Sequence, residues 1–346
     1  MYFSSDNAGP ALPQVMQRVQ EANTGFALPY GADPIMKEVR ERIRDIFEAP
    51  DAAVFLVATG TAANALALAS YCRPWQAVFC TRIAHIQEDE CNAPEFYSGG
   101  AKLCLVETSD KMTAQGLRDR IEAEGVRGVH GPQRGPVSIT QVTERGSVYT
   151  LDELRELTAV AKSFELPVHL DGARFANALV ALGCSAAEMT WKSGVDVVSF
   201  GGTKNGCLGV EAVVFFDPSK AWEFELRRKR GAHLFSKHRY LSAQMAGYLQ
   251  DGAWLEAASR ANANADYLVA GLRRVGAEFL HEPQANMVFT RFPARLHQRL
   301  HDAGAHYNMW DDALEGADPE AMLAARLVCD WSITHEQIDL FLSHFD

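Results

Sequence analysis

The sequence has no apolar run approaching the roughly 20 residues that a bilayer-spanning helix needs; stretches such as AAVFLVATG and ANALVAL stop far short. It has no CxxC pair either. Its seven cysteines are scattered, an odd number without metal-ligand spacing, which points to reduced thiols in a reducing compartment rather than a disulfide framework or a zinc site. The first residues, MYFSSDNAGP, lack the basic and apolar regions of a secretory signal, so a cytoplasmic protein is expected. There is no low-complexity linker, no repeat of fixed period and no GxxxxGK[ST] phosphate loop. Basic residues are outnumbered, 33 Lys and Arg against 44 Asp and Glu, giving a formal net charge of -11. Long-range repulsion therefore opposes nucleic acid and anionic membranes, and a small-molecule partner is expected instead.

What is present is a globular composition. Hydrophobic residues make up 47% and charged residues 22% of 346 positions, which suits one large domain plus a smaller one. Strand, turn and helix recur. AAVFLVATG and TAANALALASYC read as a buried strand, a glycine turn and a helix; AKLCLVET, LPVHLD and VDVVSFGG read as strands. TLDELRELTAVAKSFE reads as an amphipathic helix opened by a capping box of Thr150 and Glu153. Short apolar runs alternating with helices predict an α/β fold with a mainly parallel sheet covered on both faces. After about residue 240 the pattern turns to helices, then the short strand NMVFTRF and a helix-rich tail. The expected division is 1–240, with an amino-terminal arm, and a smaller carboxy-terminal α+β domain over 241–346.

In such sheets ligands gather beyond the carboxyl ends of the strands. Gly60 and Thr61 follow the first strand, where a helix N-terminus either seats a phosphate or merely caps itself. Asp171 follows LPVHL and either faces a ligand or caps the next helix. Lys204 lies in GGTKNG, 33 residues after Asp171, either as a surface lysine in a turn or as an amine that a cofactor can approach. Taken together, an anion seat, a buried acid and a lysine among small residues are what pyridoxal phosphate requires. The acid keeps the pyridine nitrogen protonated and the amine forms an imine.

With those residues in place, the chain resembles the L-threonine aldolase family of fold-type I pyridoxal phosphate enzymes. The likeness runs through SSDN, YGADP, TGTAAN, AHIQEDE, HLDGARFANA, SFGGTKNG and ARLVCDW, nearly the whole length. It implies a seven-stranded, mainly parallel sheet. It also implies cleavage of L-β-hydroxy-α-amino acids such as L-threonine, L-allo-threonine and phenylserine to glycine and an aldehyde. By the same resemblance Lys204 forms the Schiff base, Asp171 pairs with the pyridine nitrogen and His85 stacks on the ring. Arg174, Arg326 and Ser5 bind the substrate carboxylate. Tyr30 is expected to reach a neighbouring subunit's site, and Arg230 or Arg239 to meet the phosphate from a partner chain, so a homodimer or homotetramer with the site at a subunit interface is implied.

One stretch departs from the family. Many relatives carry ENTHN, whose histidine lies near the substrate hydroxyl, where this chain has TQVTE, Thr140 to Glu144. His130 is the expected replacement, and Asp89, four residues after His85, is expected to tune recognition of the β-substituent. On their own residues, His85 and His130 also read as loop histidines, Asp89 as a solvated acid, Arg326 as a surface charge on the tail, and RRKRGAHLFSKHR as a solvated helix face. Two rival functions remain at this point: another enzyme on the same scaffold, such as an aminotransferase or a β-eliminating lyase, and a non-catalytic binder. A binder would need neither Asp171 nor Lys204.

Overall fold

The apolar runs form strands in the computed structural model, which describes residues 1–310 and 313–345. One sheet contains β1 (Ala53–Val57), β2 (Gln76–Thr81), β3 (Lys102–Val106), β4 (Gln133–Thr140), β5 (Val168–Gly172), β6 (Val197–Gly201) and β7 (Glu211–Phe215). Their order is β1-β7-β6-β5-β4-β2-β3. All neighbours run parallel except β7, which is antiparallel to both β1 and β6. This is the mainly parallel seven-stranded sheet that the resemblance implies.

Strand side chains alternate between faces, and both faces are covered. On one, Val54, Leu56, Ala212 and Val214 join the core beneath helices Pro34–Ile46 and Arg239–Leu249. On the other, Phe55, Val57, Val213 and Phe215 pack with Ala63, Leu66 and Ala67 of helix Gly60–Tyr71. Such burial on both sides explains why these strands read as unbroken apolar runs. Helix Leu151–Ser163 begins with the expected capping box: Thr150 accepts from the Glu153 N–H, and the Glu153 carboxylate accepts from the Thr150 N–H.

A second sheet, in the order β10-β11-β9-β8, holds β8 (Glu278–Phe279), β9 (Met287–Pro293), β10 (Asn308–Met309) and β11 (Met322–Val328). β9 and β11 pair antiparallel over seven positions. Here the expectation of a helix-rich tail is corrected: the segment carrying Arg326 is an inner strand. MLAARLV has no visible alternation because both of its faces are occupied, so pairing with β9 decides what the pattern leaves open. The long helix Ala253–Arg274 and helix His335–Leu342 cover this sheet through Leu268, Leu272, Ile338 and Phe341. No described helix is long and apolar enough to cross a membrane.

Candidate active site

Because β4, β5 and β6 are parallel, their carboxyl ends emerge on one edge of the sheet. There they border a cleft of about 450 Å³ whose lining includes Gly60, Thr61, His85, Asp171, Arg174 and Lys204. Asp171 sits in register with Ser199 of β6 and Thr140 of β4. Its Oδ2 accepts from Asn64 Nδ2 at 2.8 Å and its Oδ1 from the Ala173 N–H at 3.0 Å. The backbone closes tightly behind it: a Cβ on Gly201 would lie 2.7 Å from the Gly172 carbonyl oxygen, so only glycine lets the ends of β5 and β6 come so near.

Lys204 lies on the single turn Thr203–Asn205 just after β6. Two buried groups pin that turn. Asn205 Nδ2 donates to Tyr248 Oη and to the Trp254 carbonyl, both at 2.8 Å, and Glu211 Oε2 accepts from the Gly202 N–H at 2.7 Å. The positive charge of Arg174, then burial, holds the Lys204 amine below its ordinary pKa. That favours the neutral, nucleophilic amine.

A chain of buried polar groups ties His85 to Asp171. His85 Nδ1 and Asn64 Nδ2 both meet Glu90 Oε1 at 2.9 Å, and the same Asn64 amide reaches Asp171. The hydrogen bond to Glu90 raises the His85 pKa against the opposing effect of burial, while burial raises that of Glu90. Two residues before Asp171 on the same strand, and so on the same face, His169 is wedged between Ser138 Oγ and Ser199 Oγ, each at 3.0 Å, and burial pushes its pKa down to about 4. Glu144 stands on the cleft wall and accepts the His85 backbone N–H at 2.8 Å; burial pushes its carboxyl up to about 7. Glu211 is raised to about 7 by the same cause.

These residues fit pyridoxal phosphate. Thr59 caps helix Gly60–Tyr71 by accepting the Ala62 N–H, which leaves the Gly60 and Thr61 N–H groups without intrahelical acceptors and able to meet an anion. Nothing lies within 4 Å of the place where a Gly60 Cβ would stand. No described residue hydrogen-bonds the Lys204 amine, and the buried Nε of Arg326 lacks an acceptor among the described residues.

The remaining expected residues divide into those near the cleft and those away from it. Arg174 lines it, with its guanidinium forked onto Asp6. Arg326 is near enough for the charges of Arg174 and Asp89 to act on it, although burial is what chiefly lowers its pKa. Asp89 ends the single turn His85–Glu88 and is exposed. Ser5 lies on the arm, its hydroxyl accepting the Asn7 N–H, and Asn7 is the arm residue that forms part of the cleft wall. Tyr30, exposed and at φ 58°, borders a separate apolar groove beside Trp222 and Leu226. Arg239 donates to the carbonyls of Thr24 and Gly25, and Arg230 is exposed at the end of helix Ala221–Arg230. None of these three borders the cleft of its own chain.

His130 requires a correction. It is exposed on the turn Gly128–His130, ahead of the amino end of β4. The eight residues of that strand separate it from the cleft edge by roughly 25 Å, so it cannot serve the site of its own chain. The TQVTE stretch instead delivers Glu144. Sequence reasoning also missed Asp6, Asn64, Glu90 and Glu211. Asn64 and Glu90 lie inside the quoted motifs TGTAAN and AHIQEDE, and their position there was the available signal.

Comparison with known proteins agrees with this geometry. Residues 3–294 match the family described as Beta-eliminating lyase. The low specificity L-threonine aldolase of Pseudomonas aeruginosa is 40% identical over 97% of this chain and 94% of its own. The enzyme of the same name from a Pseudomonas species is 38% identical over the same shares. Among solved structures, a Leishmania major threonine aldolase superposes with a TM-score of 0.92 at 24% identity, covering 99% of this chain and 98% of its own. A serine palmitoyltransferase variant from S. paucimobilis with a bound PLP–myriocin aldimine reaches 0.71 at 20% identity, covering 100% and 86%. The chain belongs to the β-eliminating lyase family and, within it, to the low specificity L-threonine aldolases.

Proposed function

We propose that the cleft cleaves L-β-hydroxy-α-amino acids, including L-threonine, L-allo-threonine and phenylserine-like compounds, to glycine and an aldehyde, and runs the reverse addition. One observation carries this reading: Lys204, Asp171, His85 and the free N–H groups of helix Gly60–Tyr71 line one cleft, in a chain 40% identical to a low specificity L-threonine aldolase. Pyridoxal phosphate, when bound, supplies the protonated ring that takes up the electron pair left at the substrate α-carbon.

The chain's own groups do the rest. Lys204 gives the amine that holds the cofactor. Asp171, fixed by Asn64 and the Ala173 N–H, gives the anionic partner for the pyridine nitrogen, and the Gly60 and Thr61 amides receive the phosphate. His85 presents a flat ring at the cleft wall. Arg174 and Arg326 hold the substrate carboxylate and so fix which bond to the α-carbon stands ready to break. His85, acting through a water, takes the β-hydroxyl proton as the Cα–Cβ bond breaks and the aldehyde departs; a proton then returns to Cα to give glycine. Glu144 stands on the same wall, its carboxyl pushed up to about 7 by burial. The reading includes a homodimer or homotetramer completed by Tyr30 and by Arg239 or Arg230 of a neighbouring copy, working in the cytoplasm.

The test is aldehyde release from a panel of β-hydroxy-α-amino acids with no keto acid added. Glycine and aldehyde in equal amounts are expected. Ammonia with a keto acid, or turnover only when an amino acceptor is supplied, would favour the β-eliminating or transaminating rival.

A further inference from the structure

The amino-terminal arm is bonded to the second sheet and reaches from there into the cleft. The Phe3 N–H donates to the His306 carbonyl at 2.7 Å, and the Phe3 carbonyl accepts the Val328 N–H at 2.8 Å. Phe3 itself is buried edge-on against Phe341. Anchored so, the arm places the Ser4 carbonyl 3.3 Å from Arg326 Nη2. Two residues on, Asp6 is buried and takes both nitrogens of one edge of Arg174, Nε at 2.6 Å and Nη2 at 2.9 Å. Asn286 Nδ2 approaches Asp6 Oδ2 from the other side at 3.1 Å and also donates to the Cys329 carbonyl at 2.9 Å. The aspartate is therefore held from the second sheet while it grips an arginine that follows β5.

Two cations brought together in a partly dry place repel, and Arg174 acts on Arg326 in that sense. A buried carboxylate between the arm and Arg174 offsets this repulsion and satisfies a guanidinium edge that would otherwise lose its hydration. Because Asp6 occupies only the Nε–Nη2 edge, Nη1 of Arg174 stays available among the described residues, and on the other arginine the buried Nε of Arg326 has no acceptor among them. A second, incoming carboxylate would satisfy both. Burial pushes the Asp6 carboxyl up, but Arg174 and Lys204 together with its hydrogen bonds outweigh that and keep it anionic.

We propose that Asp6 is a positioning residue: carried by the arm, it aligns Arg174 with Arg326 as one receptor for the α-carboxylate, so that the cleft selects amines bearing that group. The proposal rests on the aldolase reading for the class of ligand. It assigns to the SSDN segment a role in fixing the receptor from behind.

The test uses the holoenzyme and its visible imine absorbance, titrated with glycine and with ethanolamine, an amine of similar size without a carboxylate. Asp6→Asn is expected to weaken glycine at least roughly tenfold while ethanolamine stays within about twofold of the parent. The KM for L-threonine should rise by a larger factor than kcat falls. A merely structural role would weaken both ligands together; that result, or unchanged glycine binding, overturns the proposal. If Asp6→Asn is not recovered folded, Asn286→Ala decides: a smaller loss confined to glycine supports the receptor, and unchanged glycine affinity overturns it. Failure of the parent protein to release aldehyde would sink the aldol reading, yet the contrast between glycine and ethanolamine would still judge Asp6.

Discussion

His85 is fixed at two points by two acids, its ring by Glu90 and its backbone by Glu144. Glu90→Gln keeps the volume and removes the anionic acceptor that raises the His85 pKa, and the burial that remains drives that pKa down. If His85 accepts the hydroxyl proton, the acidic limb of the pH profile of kcat/KM should move to lower pH. Turnover should fall about tenfold through loss of alignment. A limb that stays in place with full turnover would remove Glu90 from the network. At this scale the sequence exposes some groups and hides others. Asp171 and Lys204 stand out because each follows an apolar run that ends at a sheet edge. Glu90 does not, since AHIQEDE offers three acids in a row and only tertiary packing buries the third while Glu88 and Asp89 stay exposed. Asp6 and Arg174 are 168 residues apart, and no local pattern announces a pair closed over that distance.

At the scale of elements, the apolar runs expose β1, β3, β5 and β6, whereas the count of seven comes from the family likeness and the strand order from the structure alone, and the start of β7 shows what such runs conceal. Glu211 opens β7 just before an apolar run, yet it is buried beneath the Lys204 turn. Arg326 marks the opposite failure: placed by pattern on a solvated tail, it lies on an inner strand, since cross-strand partners rather than propensity decide the fate of an alanine-rich segment. The burial of Glu211 has a consequence for pH. Its folded pKa is raised to about 7 from an ordinary 4.5, so between those values the folded chain keeps a proton that the unfolded chain has released. Stability from this group is complete below about pH 4.5 and is lost as pH rises through 7, a change of about 3 kcal/mol. Glu144 acts in the same direction, while neutral His169, lowered to about 4, acts in the opposite one. Both persist in Glu211→Gln and cancel in a comparison. That variant, a lasting mimic of the protonated acid, should melt higher than the parent at pH 8 and show a smaller advantage at pH 5. Equal differences at the two pH values would mean that Glu211 is not protonated in the native state.

For the molecule as a whole, the surface bears a feature that one chain does not use. Phe26 is fully exposed, and Tyr30, Trp222, Leu226 and Leu234 border a common apolar groove with Lys229 over the Tyr30 ring at 5.0 Å. An apolar patch of this kind on a charged protein is a candidate interface. Tyr30 and Arg239 also lie away from the cleft of their own chain, which is what sites shared between copies require. In a closed two-fold arrangement each cleft would draw Lys204 from one copy and Tyr30 from the other. Lys204→Ala and Tyr30→Ala proteins should then each lack activity, by loss of the amine and of the shared wall respectively. Dissociated and reassembled at equal amounts, they form mixed pairs in which one site carries both lesions and the other carries neither. Random pairing leaves about a quarter of all sites intact, so the mixture should recover about a quarter of the parent's activity per site. If Tyr30 serves its own chain, every site in every pair retains a lesion, and reassembly restores nothing.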